Sequence, residues 1–225
     1  HMGGDAKALK TDPSHRINSF RYSPDSKKIS YTTVTQDLFV FDLEKETTEK
    51  VFTSVYTNAM DYDWSPHNDW IAYTEAGPNL MGAIYLYSVA DKKSTRVTEG
   101  YYSDGGVGFD LNGKYLYFVS QRTFNPTPGD FEFWLQMSNS QRVYVMPLAT
   151  DTPNPLRPDV DEEPAGEKKP EATPPAEGPK STKVDLEGMG ARAVALPWPP
   201  GSYQAAIGAN NGVFTITGGA LKKFD

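Results

Sequence analysis

Phe20-Arg-Tyr-Ser-Pro-Asp-Ser-Lys-Lys-Ile-Ser-Tyr31 sets the frame for the whole chain, because two variants of it follow. They are Tyr62-Asp-Trp-Ser-Pro-His-Asn-Asp-Trp-Ile-Ala-Tyr73 and Val107-Gly-Phe-Asp-Leu-Asn-Gly-Lys-Tyr-Leu-Tyr-Phe118. Aligned, they superpose Ser23, Ser65 and Asp110, at spacings of 42 and 45 residues. Units of roughly 40–50 residues built from short strands are the signature of β-propeller blades. Every unit has the same internal grammar. An aromatic-ended strand meets a polar turn, then an alternating strand (Ile29-Ser-Tyr31, Ile71-Ala-Tyr73, Leu116-Tyr-Phe118). A second alternating strand follows, Leu38–Leu43, Ala83–Val89 or Arg142–Leu148, and a polar strand closes the unit at Glu49–Phe52 or Ser94–Val97. Period-2 alternation bounded by Pro, Asp, Asn and Gly is what a half-buried strand requires. In the turn, Pro presets φ and the Ser or Asp before it accepts a backbone N–H. These residues are therefore read as hairpin scaffolding, and His67, inside the second turn, as a solvated side chain.

A fourth unit is visible in part. Ser202–Ile207, Gly212–Thr217 and Ala220–Asp225 match its first three strands, with Asp225 in the place of Asp42. The expected fold is thus all-β: a β-propeller fragment of about three complete four-stranded blades plus a truncated fourth, divided at about 15–54, 55–99, 100–188 and 189–225. Closed propellers need roughly 4–8 blades, so the chain reads as part of something larger. His1-Met2-Gly3-Gly4 reads as a cloning remnant.

Composition narrows the function classes. The 225 residues carry 22 Lys+Arg against 29 Asp+Glu, a formal net charge of -7. Phosphate backbones are bound by Lys and Arg that displace counterions, so nucleic acid is not an expected partner. Membrane insertion is not expected either, since no apolar run approaches the ~20 residues of a spanning helix. With no cysteine, a disulfide framework, a thiolate zinc site and a Cys nucleophile are excluded together, while the compartment stays open. Residues 150–183 hold 8 of the 18 prolines, 8 acids, 5 bases and no aromatic. Such a stretch cannot bury enough apolar surface to offset its conformational entropy, and disorder is expected throughout it.

The Ser-Pro-Asp-Ser-Lys-Lys-Ile-Ser-Tyr repeat resembles those of TolB and tricorn-type protease propellers. A second stretch narrows the resemblance: Val184-Asp-Leu-Glu-Gly-Met-Gly-Ala-Arg192, followed by Ala195-Leu-Pro-Trp-Pro-Pro-Gly-Ser-Tyr203. It is similar to a segment late in the second, seven-bladed propeller of tricorn proteases, with Met189 where that family usually has Ile. The resemblance implies a large serine peptidase acting on oligopeptides, whose propellers control passage of peptides to a separate catalytic core. It carries over no catalytic residue, because the family's Ser, His and acid lie outside this segment.

No catalytic constellation is legible in the chain itself. Neither Gly-x-Ser-x-Gly nor His-Glu-x-x-His occurs, and beyond His1 only His15 and His67 remain. Asp61-Tyr-Asp63 and Asp159-Val-Asp-Glu-Glu163 lack the spacing of a calcium loop and read as solvated charge. Gly105-Gly106-Val-Gly108 precedes a strand rather than a helix, so it reads as a tight turn entering the third unit and not as a phosphate cradle. No metal or cofactor is expected.

One insertion stands out. Gln121–Met137, between the second and third strands of unit three, brings Phe124, Phe131, Phe133 and Trp134 within a few residues of Arg122. In a four-stranded blade, the connections between strands two and three and between successive blades share one end. The insertion should therefore lie beside Tyr101 and Tyr102, and residues 150–183 at the opposite end with the Ser-Pro turns. Tyr101, Tyr102, Arg122, Phe124, Phe131, Phe133 and Trp134 are the candidate peptide-contacting set, against the alternative that these aromatics merely pack the insertion onto its blade. The functional readings are a non-catalytic propeller segment assisting oligopeptide access in a tricorn-like serine peptidase, a TolB-like protein-interaction propeller with no peptidase link, and a propeller of a prolyl oligopeptidase-type enzyme. Expected partners are oligopeptides and the parent's own catalytic domains, with self-association through open blade edges.

Overall fold

Each repeat folds as an antiparallel meander whose strands pair in the order in which they occur. The computed structural model describes residues 8–12, 14–56, 61–124, 126–128, 135–137, 139–156, 181–209 and 212–224. The first sheet is β1 (Ile17–Tyr22), β2 (Lys28–Thr33), β3 (Asp37–Asp42) and β4 (Thr47–Thr53). The second is β5 (Tyr62–Trp64), β6 (Trp70–Ala76), β7 (Gly82–Ser88) and β8 (Lys93–Arg96). The third starts with β9 (Asp104–Phe109) and β10 (Tyr115–Ser120), leaves for a small hairpin of β11 (Pro126–Pro128) and β12 (Leu135–Met137), and resumes with β13 (Arg142–Pro147). Its outer strand is β14 (Val194–Ala195), reached through a 3-10 turn at Met189–Arg192. β15 (Ala206–Ala209), β16 (Gly212–Thr217) and β17 (Ala220–Phe224) form the fourth sheet. The third blade therefore runs past the expected boundary at 188. Its outer strand pairs only Val194 with Val145 and Ala195 with Tyr144, too short a run to show a period in sequence. Residues 1–4 and Asp225 lie outside the described residues.

The turn reading holds at the atomic level. Ser23 Oγ accepts the N–H of Lys28 at 2.9 Å, and Ser65 Oγ accepts that of Trp70 at 2.9 Å. Asp110 Oδ1 does the same for Tyr115 at 2.8 Å. All three side chains are buried. Three residues on, the backbone turns left-handed at Ser26 (φ 59°), Asn68 (φ 66°) and Gly113 (φ 65°). Only the last of these is the residue type that adopts this conformation without steric cost.

Sheets stack face to face. Leu38, Val40, Tyr62, Trp64, Ile71 and Tyr73 fill the space between the first and second. Ile84, Leu86, Phe109, Phe118 and Met146 fill the next, together with Met189 from the 3-10 turn. Val145, Ala206 and Val213 lie between the third and fourth. Each Val, Leu, Ile, Phe or Met among them contributes about 1.5–3 kcal/mol by leaving water. The repeat exposes one exception. Tyr62 and Trp64 pack on the preceding sheet and are 3% and 5% exposed, whereas their counterparts Phe20 and Tyr22 are 64% and 55% exposed. Among the described residues nothing covers these two rings of β1, whereas Tyr31, Phe39 and Phe41 further along the same face are buried, with His15 stacked on Phe39.

The inner strands are joined by their edges as well as their faces. Arg21, Asp63 and Gly108 are equivalent positions of the repeat. Arg21 Nη1 donates to the carbonyl of Tyr62 at 2.8 Å. Asp63 Oδ2 accepts the N–H of Phe109 at 2.9 Å, and Asp61 Oδ2 that of Val107 at 2.8 Å. At Gly108 no side chain intervenes: a Cβ there would strike the carbonyl oxygen of Ala206. This corrects two readings. Asp61 and Asp63 are half-buried acceptors rather than solvated charge. Gly105–Gly108 is the inner strand itself, bulged at Gly106 (φ 62°), rather than a turn. Burial pushes the Asp63 carboxyl up to about 6, against the opposing pull of the Phe109 N–H and the Arg21 guanidinium. Burial likewise raises Asp61.

Two outcomes follow from these contacts. Replacing Ser65 by Ala leaves a buried N–H unpaired and is expected to cost about 1–3 kcal/mol in denaturant unfolding. Ser26→Gly removes left-handed strain and should gain up to about 1 kcal/mol. Asp63 gives a pH signature. Its folded value lies above the ordinary 3.8, so its contribution to stability is complete below about pH 4 and is lost as pH rises through about 6. Asp63→Asn should remove that slope while keeping an acceptor. Asp63→Ala should lose about 1–3 kcal/mol at every pH.

Candidate functional site

The crossover from the second to the third sheet and the 3-10 turn enclose a cleft of about 380 Å3. Tyr101, Tyr102 and Arg122 line it, and so do Arg96, Glu99 and, as one wall, residues of the 186–191 segment. Tyr101 is 72% exposed and Tyr102 about half exposed. Phe124 is exposed to solvent but does not line the cleft. Phe131, Phe133 and Trp134 lie outside the described residues. The meeting of Arg122 with Tyr102 (5.5 Å to the ring centroid) places the start of the 121–137 insertion at the same end as the inter-blade crossover. At the opposite end Asp25 N–H donates to Asn68 Oδ1 and His67 Nδ1 lies 3.0 Å from Thr182 Oγ1.

Arg122 is more committed than its sequence position suggests. Its Nη2 donates to Asp104 Oδ2 at 3.1 Å and its Nε to Ser120 Oγ at 2.9 Å. The guanidinium also sits among the rings of Tyr102, Phe118 and Tyr144. Asp104 is buried and its charge needs a partner. Arg122 thus neutralises a buried carboxylate, and its charge is not available to an incoming anion. It forms the floor of the cleft and orients Tyr102.

Arg96 and the 186–191 wall were not legible as site residues. Arg96 ends a polar outer strand, where a charged residue is ordinary. The wall comes from a segment far along the chain, and its close seating needs Gly190, at which a Cβ would strike the carbonyl of Val97.

The Asp185–Arg192 segment works as a clamp. Arg192 donates to four carbonyls: Pro147 and Leu148 from the end of β13, and Asp185 and Glu187 from its own loop, at 2.5–3.2 Å. Asp185 Oδ2 accepts both N–H and Oγ1–H of Thr150 at 2.8 Å, and Lys183 pairs with Asp151 at 2.7 Å. Thr182 is buried, its N–H held by Asp69 Oδ2 at 2.6 Å. The two ends of the stretch expected to be disordered are therefore fastened together and to the second blade. Their hydrogen-bonding side chains outweigh the composition of the stretch as a whole. Residues 157–180 lie outside the described residues.

Both remaining histidines have structural partners. His15 stacks on Phe39 at 4.1 Å, with Nδ1 3.0 Å from the hydroxyl of Tyr31. His67 sits by Thr182, but Asp69 holds the Thr182 backbone and not the imidazole, so among the described residues no acid orients that histidine as a nucleophilic triad requires. Among the described residues no three His, Asp or Glu side chains converge as a metal site.

The family model of the tricorn protease second beta propeller domain matches residues 2–220. This chain belongs to that family. Tricorn protease homolog 1 of Streptomyces coelicolor is 27% identical over 214 residues, covering 95% of the chain and 20% of that protein. The tricorn protease homolog of Saccharolobus solfataricus is 28% identical over 215 residues, covering 95% of the chain and 18% of that protein. The crystal structure of the tricorn protease superposes with a TM-score of 0.71 at 22% identity, over 89% of this chain and 19% of that one. The tricorn-type propeller chain thus spans about a fifth of the length of these relatives.

For this tricorn propeller segment, replacing residues 157–180 by a short Gly/Ser linker should leave the melting midpoint within about 2 °C, because the fastened ends remain. Arg192→Ala should cost about 1–3 kcal/mol by stranding carbonyls at the same neck. Thermal unfolding by circular dichroism measures both.

Proposed function

We propose that this chain is a non-catalytic propeller segment of a tricorn-like serine peptidase, and that it assists the passage of oligopeptides to a catalytic core elsewhere in the longer protein. The observation that carries the reading is the tyrosine-lined cleft, in a chain matched along nearly all its length by the second propeller domain of tricorn proteases. Exposed aromatic rings grip an extended chain with little loss of side-chain entropy. A passage must also release what it binds, and two solvent-facing tyrosines on a shallow floor suit weak contact. The exposed edge strand bearing Phe20 and Tyr22 supports a second element of the proposal: further blades of the same longer polypeptide cover it. In their absence the chain self-associates through it.

The isolated chain should leave a pool of oligopeptides uncleaved, as mass spectrometry would record. In the longer protein, the pair Tyr101→Ala and Tyr102→Ala should lower kcat/KM for oligopeptides by about two- to tenfold, the worth of aromatic contacts of about 0.5–1.5 kcal/mol. Turnover of a small chromogenic substrate should be unchanged. An equal fall for both substrates would assign the tyrosines to structure instead of passage.

A further inference from the structure

Arg96 is a cation of the cleft that forms no ion pair among the described residues. Its Nε donates to the carbonyl of Thr98 at 2.8 Å, and its Nη2 donates to that of Glu99. Both acceptors are neutral backbone groups, so the guanidinium is fixed in orientation while keeping its charge. The loop is shaped for this: Gly100 turns left-handed (φ 67°), and a Cβ there would strike Arg96 Nη2. The Nη1 amino group has no partner among the described residues. Arg122, the other cation of the cleft, is spent on Asp104. Glu99 also lines the cleft with an exposed carboxylate.

We propose that Arg96 receives the C-terminal carboxylate of an oligopeptide, whose last side chain rests against Tyr101 and Tyr102. The inference builds on the reading of the cleft as a peptide-contacting surface. A guanidinium held by two backbone acceptors meets a carboxylate with little further ordering. A single guanidinium without an ion pair, near Glu99, suits a monoanion, and a doubly charged phosphate would find too little cation and more repulsion. Every free oligopeptide ends in such a carboxylate, so a receptor for it works on substrates of any sequence. Glu99 weakens the contact, as a surface that must release peptides requires.

The test uses the isotopically labelled 225-residue chain, titrated with three peptides while its amides and the Arg96 Nε–H are followed by NMR. They are acetyl-Ala-Ala-Phe as the free acid, the same peptide as its C-terminal amide, and acetyl-Glu-Ala-Phe amide. The free acid should shift Gly100, Tyr101 and Arg96 Nε saturably, with a dissociation constant near ~1 mM. The simple amide should bind about tenfold more weakly. Arg96→Gln should abolish the difference between acid and amide. Glu99→Gln, which leaves Arg96 and its backbone acceptors intact, should tighten the acid about twofold and leave the amide unchanged. Equal shifts of Tyr101 and Tyr102 by acid and amide would overturn the role of Arg96 and leave the peptide-contacting cleft standing. Binding of the Glu-containing amide as tightly as the free acid would overturn the C-terminal assignment in favour of an acidic side chain. If none of the three moves these signals, the cleft reading and the Arg96 assignment fall together.

Discussion

The inner strands of the second, third and fourth blades each meet the preceding blade along an edge, and the way that edge is met holds neighbouring sheets in sequence. Peptide groups on such an edge cannot be buried unpaired without a cost of about 1–3 kcal/mol each. The preceding blade supplies the partner from one repeat position. Arg21 donates to a carbonyl of the second blade, and Asp63, helped by Asp61, accepts from amides of the third. Gly108 withdraws its side chain so that the fourth blade's backbone can come close. Three different chemistries solve one geometric problem, which is why the position has no conserved character across the repeats.

The residues most easily picked out by motif are structural in this protein. Ser23, Ser65 and Asp110 close hairpins. Asp185 and Arg192 tie the return of the long insertion to the end of β13, giving the third blade its short outer strand despite the many residues between β13 and β14. That tie has a functional consequence. By drawing residues 186–191 against the second blade, it builds one wall of the cleft whose other wall is the 99–104 crossover. The chemistry of the cleft then depends on which cation is already paired. Two arginines line it, and only the buried Asp104 decides that Arg122 is neutralised while Arg96 keeps its charge.

Sequence by itself determined the blade repeat, the order of strands within each blade, the hairpin role of the Ser-Pro turns and the separation of the two ends of the fold. These follow from local causes: period-2 alternation, φ preferences at Pro, and the fact that successive antiparallel strands reverse direction. It also brought out Tyr101, Tyr102 and Arg122 as neighbours, since strand parity alone places their two connections together. Only the tertiary structure decided the rest. Asp61 and Asp63 look like solvated charge until the inner edge of the next blade is set against them. Gly105–Gly108 looks like a turn until Ala206 is seen beside it. Arg96 looks like any polar strand end until Glu99 and Gly100 fold around its guanidinium. Each of these depends on groups far apart in the chain or on which charges are already satisfied, and neither leaves a period or a spacing in the sequence.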